Sequence, residues 1–222
     1  CKEYNIKHFI HLSALGINDA KDSNYALSKL EGENMVLKNF PLATILRPSV
    51  VYSVDDNFTT NFMTLLNRLP FFPLYYGGNT KFSPIHCSDL TNIIYDVISK
   101  KIESKIIECV GPEIITFKQI IETLLLLIGK KRLLIPLPLS VAKLSARFFE
   151  IMPNPLLTRD QLRLLKYDNV ASSKYKTNFD IGTPSLRYFD REVKKYSYMW
   201  REGGQFSTEK YISKDDREAN SS

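Results

Sequence analysis

The alternation of apolar and polar positions near the start of the chain predicts a strand, a helix and a second strand. Residues 6–12 form a short apolar-rich run typical of a buried strand, and a turn is predicted directly after it. Residues 42–46 are also strand-like, and this run stops at Arg47 and Pro48. A strand, a helix and a strand within about forty residues form the pattern of a parallel crossover. We therefore expect an α/β fold that binds ligands beyond the carboxyl ends of these strands, beside Ser13 and Pro48.

The middle of the chain continues with helical and extended patterns. Residues 57–68 have helical apolar spacing, whereas the proline- and aromatic-rich residues 69–78 predict an extended loop. Asp89 is placed to cap an amphipathic helix over residues 90–99, because Asp accepts hydrogen bonds from the free N–H groups of a first turn. Residues 106–110 predict another strand.

The last part of the chain is predicted to be mainly helical. Thr116 is placed to cap a helix. The elements expected after that helix are an extended run at residues 133–138, a helix up to residue 150, a helix over residues 158–166 and a last helix over residues 184–200. Residues 201–222 lose the apolar pattern and are expected to form a disordered tail.

Candidate chemistry lies on the first predicted helix, where Tyr25 and Lys29 are four positions apart and so share one face. A nearby ammonium favours the tyrosinate and lowers the phenol pKa from about 10 towards neutrality, where Tyr can exchange a proton with a carbonyl or an alcohol. The chain has 12 Tyr and 20 Lys, so chance alone produces about one such pair. The surrounding residues must therefore decide whether this pair is functional or a chance occurrence.

These surroundings resemble a known superfamily. Ser13, the Tyr25-x-x-x-Lys29 spacing and residues 46–52 together resemble the second half of an extended or atypical short-chain dehydrogenase/reductase, the class that includes NAD-dependent epimerases and dehydratases. Within this class, five stretches in their order resemble the nucleotide-binding accessory subunit of respiratory complex I and its bacterial relatives. The stretches are residues 11–16, 44–52, 80–86, 111–117 and 157–170.

The resemblance implies the carboxyl-terminal part of a Rossmann-type parallel sheet and a smaller, mainly helical carboxyl-terminal domain. Residues 1–110 would be the second half of the NAD(P)-binding domain, with a cleft-lining insertion at residues 53–84, and residues 111–200 a substrate or docking domain before the tail at residues 201–222. The sequence contains no glycine-rich G-x-x-G-x-x-G or G-x-G-x-x-G turn. We therefore expect a fragment that lacks the amino-terminal half of the nucleotide fold and binds a dinucleotide weakly by itself.

The resemblance also implies a site. The expected catalytic residues are Ser13, Tyr25 and Lys29. The expected contacts of the cofactor, NAD or NADP, are Ser13, Tyr25, Lys29, Pro48, Ser49 and Val50. Active relatives often carry a second hydroxyl after the serine, whereas Ala14 follows here. A hydroxyl displaced by one position along a strand points to the other face, and in that case Tyr25 and Lys29 would hold the cofactor ribose while catalysis would be weak or absent.

Charge is unevenly distributed. Residues 130–222 carry 18 Lys and Arg against 11 Asp and Glu, whereas residues 1–129 carry 12 against 13, so the net charge of +6 arises in the last part of the chain. The excess forms either a basic surface for an acidic protein, anionic lipid headgroups or cofactor phosphates, or ordinary solvated helix faces. No nucleic acid partner is expected, because aromatic residues are not interleaved with the charge.

The cysteines, the histidines and the length of the aliphatic runs argue against a disulfide framework, a metal site and a membrane-spanning segment. Three cysteines without a C-x-x-C spacing favour a reducing compartment over a disulfide framework. His8 and His11 would lie on opposite faces of a strand, so no metal site is expected. Arg47 would either orient a phosphate or carboxylate ligand or pair with a nearby acid. The longest aliphatic run, residues 124–128, is too short to cross a bilayer.

Three functions remain open. The first, which the order of the matched stretches, Ala14 and the charge distribution favour, is an NAD(P)-binding accessory or assembly protein with complex I subunits as partners. Its nucleotide would be mainly structural, and its location the cytoplasm or the mitochondrial matrix, with peripheral attachment to the inner membrane. The second is an active NAD(P)-dependent reductase, epimerase or dehydratase that uses Tyr25 and Lys29 on a sugar nucleotide, isoprenoid or other carbonyl compound. The third is a protein that senses NADP without turnover.

Overall fold

The chain folds around a four-stranded parallel sheet. The computed structural model describes residues 4, 6–102, 104–137 and 159–206. The α-helices in these ranges are α1 (Asn24–Asn39), α2 (Thr59–Arg68), α3 (Cys87–Ser99), α4 (Phe117–Leu127), α5 (Arg159–Leu164) and α6 (Phe189–Ser197). The strands are β1 (Ile10–Leu12), β2 (Thr44–Pro48), β3 (Val51–Tyr52), β4 (Phe71–Tyr75), β5 (Lys81–Phe82), β6 (Ile85–His86), β7 (Ile106–Cys109), β8 (Ile115–Thr116), β9 (Leu133–Leu137) and β10 (Lys176–Thr177).

The sheet confirms the expected fold class. Its strands lie in the order β1-β2-β7-β10, and each neighbouring pair is parallel. Helix α1 connects β1 to β2, so the predicted strand, helix and strand form a parallel crossover. Leu12 lies beside Leu46, and Pro48 lies beside Cys109. The carboxyl ends of the first three strands therefore meet at one end of the sheet, where parallel sheets bind ligands.

Three smaller strand pairs surround this sheet. Strand β3 pairs with β6 and β4 pairs with β9 in parallel, while β5 and β8 are antiparallel. Residues 69–78, predicted as a loop, thus form β4 and a 3-10 turn at Tyr76–Gly78. Burial explains the difference, because Phe72 and Leu74 lie in the core and the buried backbone needs the hydrogen bonds that β9 supplies.

Two of the three apolar clusters among the described residues hold most of the helices in place. The larger cluster joins α2, α4 and α6, and its fully buried members include Met63, Leu66, Phe117, Ile120, Leu124 and Val193. The second cluster packs α3 against the sheet through Leu46, Ile85, Ile93, Val97 and Ile107. Burial of such side chains contributes about 1.5–3 kcal/mol each before the cost of ordering the chain.

Two helices begin at side-chain caps. Ser23 caps α1, and its hydroxyl oxygen accepts from the Ala26 N–H at 3.2 Å. Thr116 caps α4 as predicted, and Gln119 completes a reciprocal capping box. These contacts involve neighbours in the sequence, and they fix where each helix begins.

The prediction that Asp89 caps a helix at residue 90 is wrong. Helix α3 begins three residues earlier, and His86 is its cap. Asp89 is buried, accepts from the N–H groups of Leu186 and Arg187 at 3.2 and 3.0 Å, and pairs with the Arg187 guanidinium. A buried carboxylate needs donors that stay close to it, and the segment before α6 supplies them. Asp89 therefore ties α3 to the end of the chain.

The chain returns to the sheet after α5. Strand β10 pairs with β7, and the side-chain oxygen of Asn178 accepts from the Val110 N–H at 2.8 Å. The division of the chain at residue 110 stays a proposal. The predicted helix up to residue 150, the first residue of the helix predicted at 158–166, and residues 207–222 of the expected tail lie outside the described residues. None of the helices in the described ranges has both the length and the apolar character needed to cross a bilayer.

Candidate functional site

A cleft of about 660 Å³ opens at the carboxyl ends of β1 and β2. The expected site residues that line it are Ser13, Tyr25, Pro48, Ser49 and Val50. Lys29, one helical turn beyond Tyr25, is not part of this lining. The rest of the wall comes from the loop between β1 and α1, from β3, from the segment around α2, from Phe82 of β5, from α5 and from the residues that follow α5. Both the size and the position are typical of a small-molecule site in an α/β protein.

Ser13 lines this cleft directly after the end of β1. Its backbone N–H donates to the Leu46 carbonyl at 2.8 Å, and the residue is only 5% exposed. The buried hydroxyl oxygen has no hydrogen-bond partner among the described residues. Both Ser13 and Ala14 line the cleft, because β1 ends at Leu12 and the chain no longer alternates as a strand does. Ser13 therefore remains a lining residue of the cleft although Ala14 follows it.

The structure does not support the expected lowering of the Tyr25 pKa by Lys29. The Lys29 amine lies 5.9 Å from the centre of the Tyr25 ring and donates to the Leu12 carbonyl at 3.4 Å. Partial burial raises the pKa of Tyr25 above its usual value, because the charged phenolate loses hydration. This direction is opposite to the lowering that the sequence analysis expected from Lys29.

Asn169, which the sequence analysis missed, holds the cleft together. Its side-chain oxygen accepts from the Ser49 hydroxyl at 2.6 Å and from the Val50 N–H at 3.1 Å. Its side-chain N–H group donates to the Leu15 carbonyl at 3.0 Å. A single amide thus joins the loops that follow β1 and β2, and it uses both its donor and its acceptor to do so.

The backbone of Asn169 connects the same loops to β5. Its N–H donates to the Lys81 carbonyl at 2.7 Å, and its carbonyl accepts from the Ser83 N–H at 3.1 Å. These bonds fix Phe82, which lines the cleft, relative to the sheet. Residues 157–170 carried part of the family resemblance, but an Asn after an Asp in a polar turn gives no local signal for such a role.

Most of the remaining backbone polar groups of residues 48–50 already form hydrogen bonds within the protein. The Leu15 N–H donates to the Pro48 carbonyl at 2.9 Å, and the Ile85 N–H donates to the Val50 carbonyl at 2.9 Å. The Ser49 N–H donates to the Cys109 carbonyl at 2.9 Å. These residues therefore offer a ligand mainly apolar surface.

Asp160 on α5 is a second residue without a sequence signal. Its carboxylate accepts from the Ser23 hydroxyl at 2.8 Å and from the N–H groups of Asn24 and Tyr25 at 2.9 and 3.0 Å. Burial opposes ionisation, but these hydrogen bonds and one from Arg163 together lower the pKa of Asp160. A negative charge at a helix amino terminus is also stabilised by the helix dipole. Asp160 thereby fixes α5 to the start of α1, next to Tyr25.

Arg47 takes one of its two expected roles, pairing with an acid. Its Nε and Nη2 atoms donate to the Glu33 carboxylate at 2.8 and 2.6 Å, and both side chains are almost completely buried. Its guanidinium also lies 4.9 Å from the centre of the Tyr175 ring. The pair binds α1 to β2 and so fixes the helix that carries Tyr25. In the described ranges no group of three or more His, Cys, Asp and Glu side chains is arranged to hold a metal ion.

Sequence comparison finds curated relatives named as subunits of NADH dehydrogenase (ubiquinone). The 1 alpha subcomplex subunit 9 of Dictyostelium discoideum is 25% identical over 91% of this chain, which covers 58% of that protein. The Arabidopsis thaliana subunit is 28% identical over 90% of this chain, which covers 52% of that protein. The ceramide reductase of Caulobacter vibrioides is 35% identical over 36% of this chain, which covers 25% of that protein. The chain thus spans about half the length of the two subunits, and no family model matches it.

Structural comparison shows the same fold in an epimerase. The UDP-glucuronic acid 4-epimerase of Bacillus cereus, solved with UDP-glucuronic acid and NAD, has a TM-score of 0.60 and 18% identity to this chain. The match covers 89% of this chain and 63% of the epimerase. The two comparisons confirm the expected resemblance to the complex I accessory subunit and to the Rossmann-type fold of NAD-dependent epimerases.

We expect Asn169→Asp to destabilise the protein. The new carboxylate still accepts from Ser49 and Val50, but it cannot donate to the Leu15 carbonyl and it repels that oxygen. The loss should lower the free energy of unfolding by about 1–3 kcal/mol in urea titrations. Asn34→Asp, at an exposed position of α1, is the matched control and should change it little. Equal effects of the two substitutions would contradict the role assigned to Asn169.

Proposed function

We propose that this chain is part of an NAD(P)-binding accessory protein of a respiratory NADH:quinone oxidoreductase, in which the dinucleotide has a mainly structural role. The observation that carries this proposal is the similarity, along about nine-tenths of the chain, to proteins named as subunits of NADH dehydrogenase. A dinucleotide is proposed because this chain shares its fold with an epimerase solved with NAD. Either NAD or NADP is compatible with the described residues.

The cleft supports binding more readily than turnover. Tyr25 and Lys29 are proposed to hydrogen-bond the nicotinamide ribose, and residues 48–50 are proposed to pack against the nicotinamide ring. A general acid or base works best when its pKa lies near the working pH, and burial moves the pKa of Tyr25 the other way. The Lys29 amine, which would have to correct this, is directed at the Leu12 carbonyl. Such a pair can hold a cofactor without exchanging protons with a substrate.

The partners and the location are proposed on the same basis. Complex I subunits would be the partners, and the protein would lie in the mitochondrial matrix or the cytoplasm, peripheral to the inner membrane. The relatives are named as mitochondrial proteins. The excess of basic residues in residues 130–222 supports docking on an acidic surface of the partner. Arg132 is less available for this, because it donates to the Leu66 and Asn67 carbonyls. Exposed lysines such as Lys131 and Lys174 are the better docking candidates.

Affinity capture of the tagged protein from its own cells should recover complex I subunits. Replacing Lys131 and Lys174 by Glu should reduce this recovery several-fold, because like charges oppose docking on an acidic surface. Replacing Lys7 and Lys21 by Glu is the matched control, since both are exposed lysines in the first part of the chain. A protein that binds a dinucleotide but never recovers complex I subunits would contradict the proposal and favour a nucleotide sensor.

The second candidate is an active reductase, epimerase or dehydratase, which the stretch shared with a ceramide reductase favours. Here Tyr25 would be the general acid or base and Lys29 would lower its pKa only in the presence of the cofactor. This candidate predicts that the protein consumes NAD(P)H with a carbonyl compound and that Tyr25→Phe abolishes turnover while leaving the free energy of unfolding unchanged. Oxidation of NADH and NADPH, followed at 340 nm with a panel of ketones and sugar nucleotides, measures it. The absence of oxidation with every compound would exclude this candidate.

A further inference from the structure

The paired strands β4 and β9 expose apolar side chains where they begin. Phe71 and Leu133 are register partners in this parallel pair, so their side chains stand side by side on one face. Phe71 is 51% exposed and Leu133 is 67% exposed. Pro73 and Ile135, the next register partners on that face, are half-buried. Phe72, which points to the other face, lies in the core. We call Phe71, Pro73, Leu133 and Ile135 the apolar patch.

Cations border the apolar patch. Arg68 is exposed at the end of α2, three residues before β4, and Lys131 is exposed two residues before β9. The Nε and Nη2 atoms of Arg132 donate to the Leu66 and Asn67 carbonyls at 2.9 and 3.2 Å, which holds the start of β9 against the end of α2. This contact brings Arg68 and Lys131 into one region of the surface, since each is the chain neighbour of a residue that forms it.

Acidic residues are absent from both segments that form this region. Residues 57–88 contain no Asp or Glu, and residues 123–137 contain Lys130, Lys131 and Arg132 but no Asp or Glu. Glu202 approaches from another part of the chain and lies 3.4 Å from the Lys130 amine, so it offsets one of these three cations. The region therefore combines exposed apolar side chains with an excess of positive charge.

A membrane surface with anionic lipids matches this combination. Apolar side chains bind at the boundary between headgroups and acyl chains, and nearby cations bind the anionic headgroups. A partner protein suits the patch less well, because a standard protein interface buries about 800 Å² on each partner. The four side chains of the patch, of which Pro73 and Ile135 are half-buried, supply only a part of that area. A bilayer needs no complementary shape, so a patch of this size is enough for weak attachment.

We propose that the apolar patch attaches the protein reversibly to the surface of an anionic bilayer. Phe71 and Leu133 enter the headgroup boundary, while Arg68 and Lys131 contact lipid phosphates. Because these cations are exposed, salt weakens the attachment. This inference deepens the proposed peripheral location by naming the surface and the lipid class, and it rests on the proposed function only for which membrane is bound.

Sedimentation of the purified full-length protein with vesicles tests this proposal. The vesicles contain phosphatidylcholine alone or phosphatidylcholine mixed with the anionic lipid phosphatidylglycerol. We expect about tenfold tighter binding to the mixed vesicles, and high salt should remove most of this difference. Equal binding to the two kinds of vesicle would overturn the proposal.

A substitution in the patch separates it from the rest of the surface. Leu133→Glu should weaken binding to the mixed vesicles about tenfold, because a carboxylate opposes both insertion and contact with anionic headgroups. Leu42→Glu is the matched control, since Leu42 is 82% exposed between α1 and β2. Both positions are exposed, so both variants should unfold at the same urea concentration as the unmodified protein. Equal effects of the two substitutions on vesicle binding would contradict the role of the patch.

A charge reversal provides an independent test. Arg68→Glu should weaken binding to the mixed vesicles several-fold. Lys21→Glu, at an exposed position before α1, changes the net charge equally and should have a clearly smaller effect. Effects of the same size would show that only the overall charge matters, and the proposed surface would be wrong.

These results are separate from affinity capture of complex I subunits. A protein that recovers these subunits but binds no anionic vesicle loses only the present inference, and a protein that binds the vesicles but recovers no subunit loses only the proposed partner. Loss of subunit recovery in Leu133→Glu, without vesicle binding by the unmodified protein, would assign the patch to a protein partner and overturn the inference.

Discussion

The side chain of Asn169 is the interaction on which the cleft depends. It bonds to the loops after β1 and β2, and its backbone bonds to both sides of Phe82. Each such bond contributes only about 1 kcal/mol, but a partner left unpaired in a buried position costs about 1–3 kcal/mol. The network is therefore most stable when all of its hydrogen bonds are formed. In that state it fixes the position of Phe82 relative to the sheet.

Two ionic contacts then orient α1 within this frame. The buried Glu33–Arg47 pair binds the middle of the helix to β2, and Asp160 binds its first turn to α5. Breaking one partner of such a buried pair typically costs about 3–5 kcal/mol, since the other charge is left without compensation. Tyr25 is consequently held beside the cleft by a helix fixed at two points, while Lys29 donates to a backbone carbonyl. This geometry suits a residue that positions a ligand.

Local signals in the sequence predicted most of what depends on near neighbours. Thr116 caps its helix through Gln119, and the strand, helix and strand around Tyr25 follow the apolar pattern. Predictions failed where the deciding partner lies far along the chain. Asp89 finds its donors at residues 186 and 187. Within residues 69–78, Phe71–Tyr75 form a strand because β9 pairs with them. Asn169 could not be recognised for the same reason, since the residues it joins are more than eighty positions away.

In the part of the chain that the structure describes, one buried hydroxyl, that of Ser13, has no hydrogen-bond partner, and Ser13 lines the cleft. A buried hydroxyl without a partner lowers stability, so a protein retains it at a cost that a ligand can offset. The unfolding free energy of Ser13→Ala, measured without ligand, tests this most directly. The protein should remain as stable as before or gain up to about 1 kcal/mol, because the substitution removes an unpaired polar group. A loss of more than about 1 kcal/mol would show that the hydroxyl serves the fold and not a ligand.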